Sequence, residues 1–181
     1  MCLLCPLMMI LMTWFDACTH AMSTVSTAGF STKNASVGHF DSVAIELILI
    51  VTMFVSAIHY GLLFSTLTGK RNNIFRSEVV KTYLVVLAAS SVLIAVSLRL
   101  ADVYPTLLSS FRHSLFQVVS ISTTTGFATT DTNTWTPLAV MILVVLSLTG
   151  ACAGSTSGGL KFDRLILAAK SVKARIVQQQ H

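Results

Sequence analysis

The chain has 181 residues, of which 54% are hydrophobic and only 10% charged, with a formal net charge of +5. So little charge on so much apolar sequence excludes an ordinary soluble domain and reads as a membrane protein. Residues 1–12 are apolar but only about 18 Å long as a helix, shorter than a bilayer is thick. They have no basic n-region, so a signal peptide fits poorly and a membrane helix cut short is the expectation. Residues 14–23 predict a short helix that dips halfway into the membrane, 26–31 an extended polar loop, and 43–67 a helix returning across it. The connection 68–77 leads to an outward helix over 78–98. Tyr104-Pro105 starts a second descent: helix 107–122, loop 123–128, then a returning helix over 135–177 broken at 149–159. Trp135 falls where an interfacial aromatic would anchor. The apolar runs 43–64 and 79–98 are each about 20 residues, enough to span.

The two halves repeat each other. Ser26-Thr27-Ala28-Gly29-Phe30-Ser31-Thr32 recurs 97 positions later as Thr123-Thr124-Thr125-Gly126-Phe127-Ala128-Thr129, and 11 of 44 pairs match without a gap between residues 21–64 and 118–161. That marks a duplicated unit. Residues 1–68 and 69–181 are therefore taken as first and second units of one plan: helix, pore helix, loop, helix. The fold class expected is an all-α membrane protein.

Basic residues orient the plan. Lys70, Arg71, Arg76 and Lys81 cluster between the two spanning runs, and Lys161, Arg164, Lys170, Lys173 and Arg175 line the C-terminal segment. Only Lys33, Arg99 and Arg112 fall elsewhere, so the basic side is cytoplasmic and both loops descend from outside. The basic balance follows from topology, and no nucleic-acid partner is expected.

Non-helical backbone at membrane depth survives only where protein covers it or water lines it. An extended Thr-Thr-Thr-Gly presents a ladder of carbonyl oxygens, hard ligands that replace the water around an alkali cation. Carbonyls aimed at one axis demand alternating dihedrals, which is why Gly29 and Gly126 carry the positive φ. Phe30 and Phe127 are expected to pack each loop on its own pore helix. Neither loop holds a carboxylate, so an acidic calcium-type ring is not offered.

These paired loops, together with Gly154-Ser155-Thr156-Ser157-Gly158-Gly159-Leu160-Lys161, resemble the bacterial Trk/Ktr potassium-uptake transporters, closest to the TrkH type of membrane subunit. The resemblance covers almost the whole chain and corresponds to the second and third of four pore units. It implies potassium bound by the strands Thr27, Ala28, Gly29, Phe30 and Thr124, Thr125, Gly126, Phe127, with the ion at Thr27, Ala28, Thr124 and Thr125. It implies uptake across the bacterial inner membrane, no cofactor besides the transported ion, and no enzyme. It also implies a gate loop beneath the filter, here Gly150, Gly154, Ser155, Thr156, Ser157, Gly158, Gly159 and Lys161, the lysine near the cytoplasmic mouth. A cytosolic nucleotide-binding regulatory subunit, TrkA-like, would meet the basic tail over 161–175. Only one of the two glycines of the potassium-channel strand is kept, so a sodium-permeable relative of the same architecture stays open. So does a non-conducting scaffold, because Gly150-x-x-x-Gly154-x-x-x-Gly158 is also a helix-packing face.

Four strands close such a filter and this chain has two, so either further units or a homodimer completes it. The glycine run is poised to unwind, each glycine costing roughly 1 kcal/mol in a helix. A phosphate-binding loop is a poor match, since Phe162 replaces the needed Ser/Thr, and Ser155 or Ser157 lacks a base for catalysis. Cys2, Cys5, Cys18 and Cys152 read as free thiols in apolar helices. His59 reads as packing, His20 and His113 do not align at the repeat offset, and Glu46, Asp16, Asp41, Asp102 and Asp131 suit an electronegative outer vestibule.

Overall fold

The computed structural model describes residues 4–69, 74 and 77–179. Met1, Cys2, Lys70, Arg71 and Arg76, used above, lie outside the described residues. Helix α1 spans Leu4–Met9 and α2 Trp14–Val25. Thr13 caps α2, its hydroxyl accepting from the Asp16 amide, and Asp16 adds negative charge at the positive end of the helix. A 3₁₀ turn, Ser36–Phe40, precedes α3, Val43–Ser56.

The returning helix expected over 43–67 is not continuous. It breaks at Ala57 and restarts as α4, Tyr60–Leu67, bent by 100° from α3. The cause is local: His59 turns its Nδ1 onto the Gly61 amide at 2.9 Å and so starts a new helix. Gly61 permits this, because a Cβ there would lie 2.7 Å from the His59 ring.

Helix α5, Glu78–Leu100, is capped by Ser77; it alone among the described helices is long and apolar enough to cross a bilayer unbroken. Helix α6, Leu107–Ser122, is capped by Thr106. Helix α7, Pro137–Leu148, starts on Thr136 with proline in its first turn, where the missing amide costs nothing. The chain then leaves helical geometry and re-enters it as α8, Phe162–Gln179. Across that gap β1, Thr149–Gly150, pairs in parallel with β2, Leu160–Lys161.

The core gathers Ile45, Leu49 and Met53 of α3, Tyr83, Leu87 and Ile94 of α5, and Phe116 of α6 around Phe127. Several polar groups inside it are paired: Tyr83 and Ser122 hydroxyls lie 3.1 Å apart, and Ser114 donates to the Ser91 carbonyl at 3.0 Å. The outward faces are apolar too. Val85, Leu93 and Val96 on α5 and Met141, Val145 and Leu148 on α7 are all exposed. Apolar surface on that scale is covered by lipid in a helical membrane protein.

Candidate pore and gate

Each glycine-containing loop follows its short helix with the same backbone. In the first copy Thr27 has φ +52° and Gly29 φ +71°; in the second Thr124 has φ +58° and Gly126 φ +84°. The hydrogen bonds also repeat at the offset of 97. Ser26, Thr27 and Ala28 donate to the carbonyls of Met22, Thr24 and Ser23; Thr123, Thr124 and Thr125 donate to those of Val119, Ile121 and Ser120. A threonine held in the left-handed region costs about 1–2 kcal/mol. That this strain recurs at equivalent threonines means the surrounding structure imposes it twice.

The two strands meet. A Cβ on Gly29 would lie 1.8 Å from the Thr125 carbonyl oxygen, so glycine there is required both for its φ and for that approach. Gly126 faces open space, and only its φ demands glycine. Thr27 and Thr125 are buried, Ala28 and Gly126 exposed, and Thr124 half-buried. Beyond the second strand, the first copy's 3₁₀ turn clasps it: Gly38 donates to the Ala128 carbonyl at 3.1 Å, and Ala128 donates to Ser36 Oγ at 3.2 Å.

The phenylalanines correct one expectation. Phe127 is 1% exposed in the core beside Phe116 of its own helix, and its ring also lies 5.7 Å from that of His20 on α2 of the other copy. Phe30 is 76% exposed and packs on neither. The two equivalent phenylalanines therefore differ in burial, one covered by the other copy's His20 and one exposed.

The acids correct another. Glu46 is buried and bound by Arg112 through both carboxylate oxygens at 2.6 and 2.8 Å, a bidentate pair linking α3 to α6. Asp16 is buried, accepting from Thr13 at 2.7 Å and Thr32 at 2.5 Å, with Lys33 at 3.6 Å. Asp102 pairs with Arg99, and Asp131 caps a 3₁₀ turn by accepting from Asn133. Of the acids expected to charge the vestibule, Glu46 and Asp16 are buried in pairs, while Asp102 and Asp131 stay exposed. Trp135, expected as an interfacial anchor, is 5% exposed and donates to the Tyr104 hydroxyl. Cys5, Cys18 and Cys152 are free thiols, the first two with sulfurs 2.8 Å apart between α1 and α2.

Residues 151–159 form a closed excursion necked by the β1–β2 pair. Gly150 is obligatory at the neck, where a Cβ would lie 2.0 Å from the Gly158 carbonyl oxygen. Ser157 Oγ accepts from the Ala151 amide, and Ser155 and Ser157 hydroxyls lie 2.8 Å apart. Lys161 does not stand free at a cytoplasmic mouth: its ammonium donates into the loop, to the Ser157 and Ser155 carbonyls.

This loop touches the foot of both strands. Gly158 donates to Thr124 Oγ1 at 2.7 Å, while Thr156 Oγ1 donates to the carbonyls of Val25 and Ser56 at 3.3 Å each. It also rests on the break in the first returning helix. Tyr60 donates to the Gly154 carbonyl, Cys152 donates to the Ala57 carbonyl, and the His59 ring covers Gly154, leaving no room for a side chain there.

Sequence reading missed the break at residues 57–59, although the repeat carried the signal. The expected interruption at 149–159, moved back by 97, falls on 52–62 and brackets Ala57, His59 and Gly61.

The class defined by these features is a helical membrane protein built on an internal duplication. Within it the chain belongs to the TrkH family, described as cation transport protein, whose sequence pattern matches residues 7–181. It is 40% identical over 171 residues to the Trk system potassium uptake protein TrkH of Halomonas elongata, covering 94% of this chain and 35% of that one. The Escherichia coli K12 protein of the same name is 34% identical over 168 residues, covering 92% and 35%. The crystal structure of the potassium transporter TrkH from Vibrio parahaemolyticus superposes with a TM-score of 0.85 at 34% identity, covering 94% of this chain and 38% of that one. The chain thus spans about a third of the length of the curated relatives it matches.

Proposed function

We propose that this chain contributes two of the four strands of a potassium-uptake pore in the bacterial inner membrane. Thr27, Ala28, Gly29 and Phe30, with Thr124, Thr125, Gly126 and Phe127, form the ion-contacting strands. Potassium is held by oxygens of Thr27, Ala28, Thr124 and Thr125. The observation that carries this reading is the identical strained backbone of the two strands together with their contact at Gly29 and Thr125. Alternating left-handed residues turn successive carbonyls, and carbonyls replace the hydration shell of a large monovalent cation without any fixed charge. The names carried by the curated relatives agree with potassium as the cargo.

Two further strands are needed, supplied by further units or by a second copy of the chain. The exposure of Phe30 favours a ring, since its counterpart Phe127 is covered by the preceding unit. The loop with Gly150, Gly154, Ser155, Thr156, Ser157, Gly158, Gly159 and Lys161 is the gate in this reading. It is supported by that loop's bonds to Thr124 and Val25, which block approach to the strands from the cytoplasmic side until broken. A cytosolic nucleotide-binding regulatory subunit would act on it through the basic α8, where Arg164 and Lys170 are exposed. The test is potassium flux in vesicles holding the complete four-strand assembly. Flux that Thr125 and Gly126 substitutions reduce supports a pore; flux indifferent to both, or none, sinks it in favour of a scaffold.

A further inference from the structure

His20 is fully buried midway along α2. Its Nδ1 lies 2.7 Å from the Asp16 carbonyl one turn back, and a carbonyl only accepts, so Nδ1 carries the proton. Nε2 is then the acceptor, and it lies 2.9 Å from Ser31 Oγ at the outer end of the first strand. The same ring stacks on Phe127 of the second strand, centroids 5.7 Å apart and planes 25° from parallel, and meets Phe40 edge-on at 5.5 Å. One side chain therefore grips one strand by a hydrogen bond and the other by its face. Both contacts are rigid: Ser31 Oγ also accepts from the Lys33 amide, and the Phe127 carbonyl accepts from Ser120 Oγ at 2.7 Å.

The duplication supplies a control. At the offset of 97, His20 corresponds to Gln117, whose Nε2 donates to the Thr130 carbonyl at 3.3 Å. The equivalent position on the second pore helix thus ties the chain just past its own strand, two residues beyond the counterpart of Ser31 and with different chemistry.

We infer that His20 is a positioning residue for ion selectivity, setting the separation of the first and second strands at their outer ends. The inference rests on the conducting reading above and extends it to a residue outside both strands. Discrimination among dehydrated alkali cations depends on how many oxygens surround the ion and how firmly they are spaced. A latch spanning two strands governs that spacing directly.

The test measures potassium and sodium flux separately in vesicles carrying the complete four-strand assembly. His20→Leu keeps the volume and loses both hydrogen bonds, leaving Ser31 without its buried acceptor. The potassium-to-sodium ratio is expected to fall about tenfold, the equivalent of one lost bond and one orphaned group. His20→Gln, the residue the second copy uses, keeps a hydrogen bond to Ser31 but loses the ring face on Phe127, so its ratio is expected to fall about threefold, between the unaltered protein and His20→Leu. Ser31→Ala removes the same bond from the other side and gives an independent reading should His20→Leu fail to fold. An unaltered protein without flux overturns the conducting reading itself. Normal flux with an unchanged ratio in His20→Leu or Ser31→Ala overturns this inference alone.

Discussion

The two copies share a backbone and differ in what surrounds it. Both strands carry the same left-handed threonine and glycine and the same three capping hydrogen bonds. Around the second strand the packing is complete: Phe127 is buried by His20, and residues 36–38 clasp Ala128. Around the first, Phe30 stands exposed. The returning helices diverge further. The first is interrupted by three residues and a 100° bend, the second by a closed loop necked by a two-residue parallel ladder. Strand geometry is thus written into each local repeat, while burial of the strand is supplied by its neighbour. The second unit's strand is completed by a residue of the first.

Four tests, three of them contrasted pairs of substitutions, probe that division. The largest effect is expected at Phe127→Ala, about 3–5 kcal/mol of unfolding free energy for emptying a filled core site. Phe30→Ala in the same chain should cost less than about 1 kcal/mol, as exposed positions do. Thermal unfolding in detergent measures both, and equal losses would contradict the difference in burial between the two phenylalanines.

Next comes the bridge between copies. Arg112→Ala leaves Glu46 buried without a partner and should cost about 2–3 kcal/mol, less than a wholly interior pair because the Arg112 side chain is 29% exposed. The exposed Arg99–Asp102 pair gives the contrast: Asp102→Asn should change stability by about 0.5 kcal/mol or less.

Glycine replacement separates strain from space. Gly126→Ala meets only the φ penalty, about 1–2 kcal/mol. Gly29→Ala adds a collision with the Thr125 carbonyl, so potassium flux should fall further there than in Gly126→Ala. The reverse order would show that the strands do not meet as described. A smaller effect than at the glycines is expected at Thr156→Val, which removes the hydroxyl bonded to Val25 and Ser56. A loss of about 1 kcal/mol from the closed loop raises resting potassium leak about fivefold, read as efflux from loaded vesicles.

Much of this architecture was legible beforehand, for identifiable reasons. Helix α6 matches the expected span at both ends because Thr106 is a strong cap and Thr123 begins the polar loop. The gap between α7 and α8 follows from glycines that no helix tolerates in such density. The break at residues 57–59 was hidden because Ala57 and Ile58 are apolar and only the His59 side chain, folded onto Gly61, ends the helix. The acids misled because charge in a sequence does not reveal its partner: Glu46 and Arg112 are 66 residues apart and meet only in the folded chain.

Composition, hydropathy and the internal repeat were enough to establish a membrane helix protein with two equivalent glycine strands, since hydropathy and each strand motif are local and the repeat is read by comparing two local motifs without any folding. Tertiary structure alone decided which side chains hold the strands: His20 against Phe127, Arg112 on Glu46, Thr156 beneath Val25. Those pairs join distant parts of the chain, and geometry between distant residues exists only once the helices have packed.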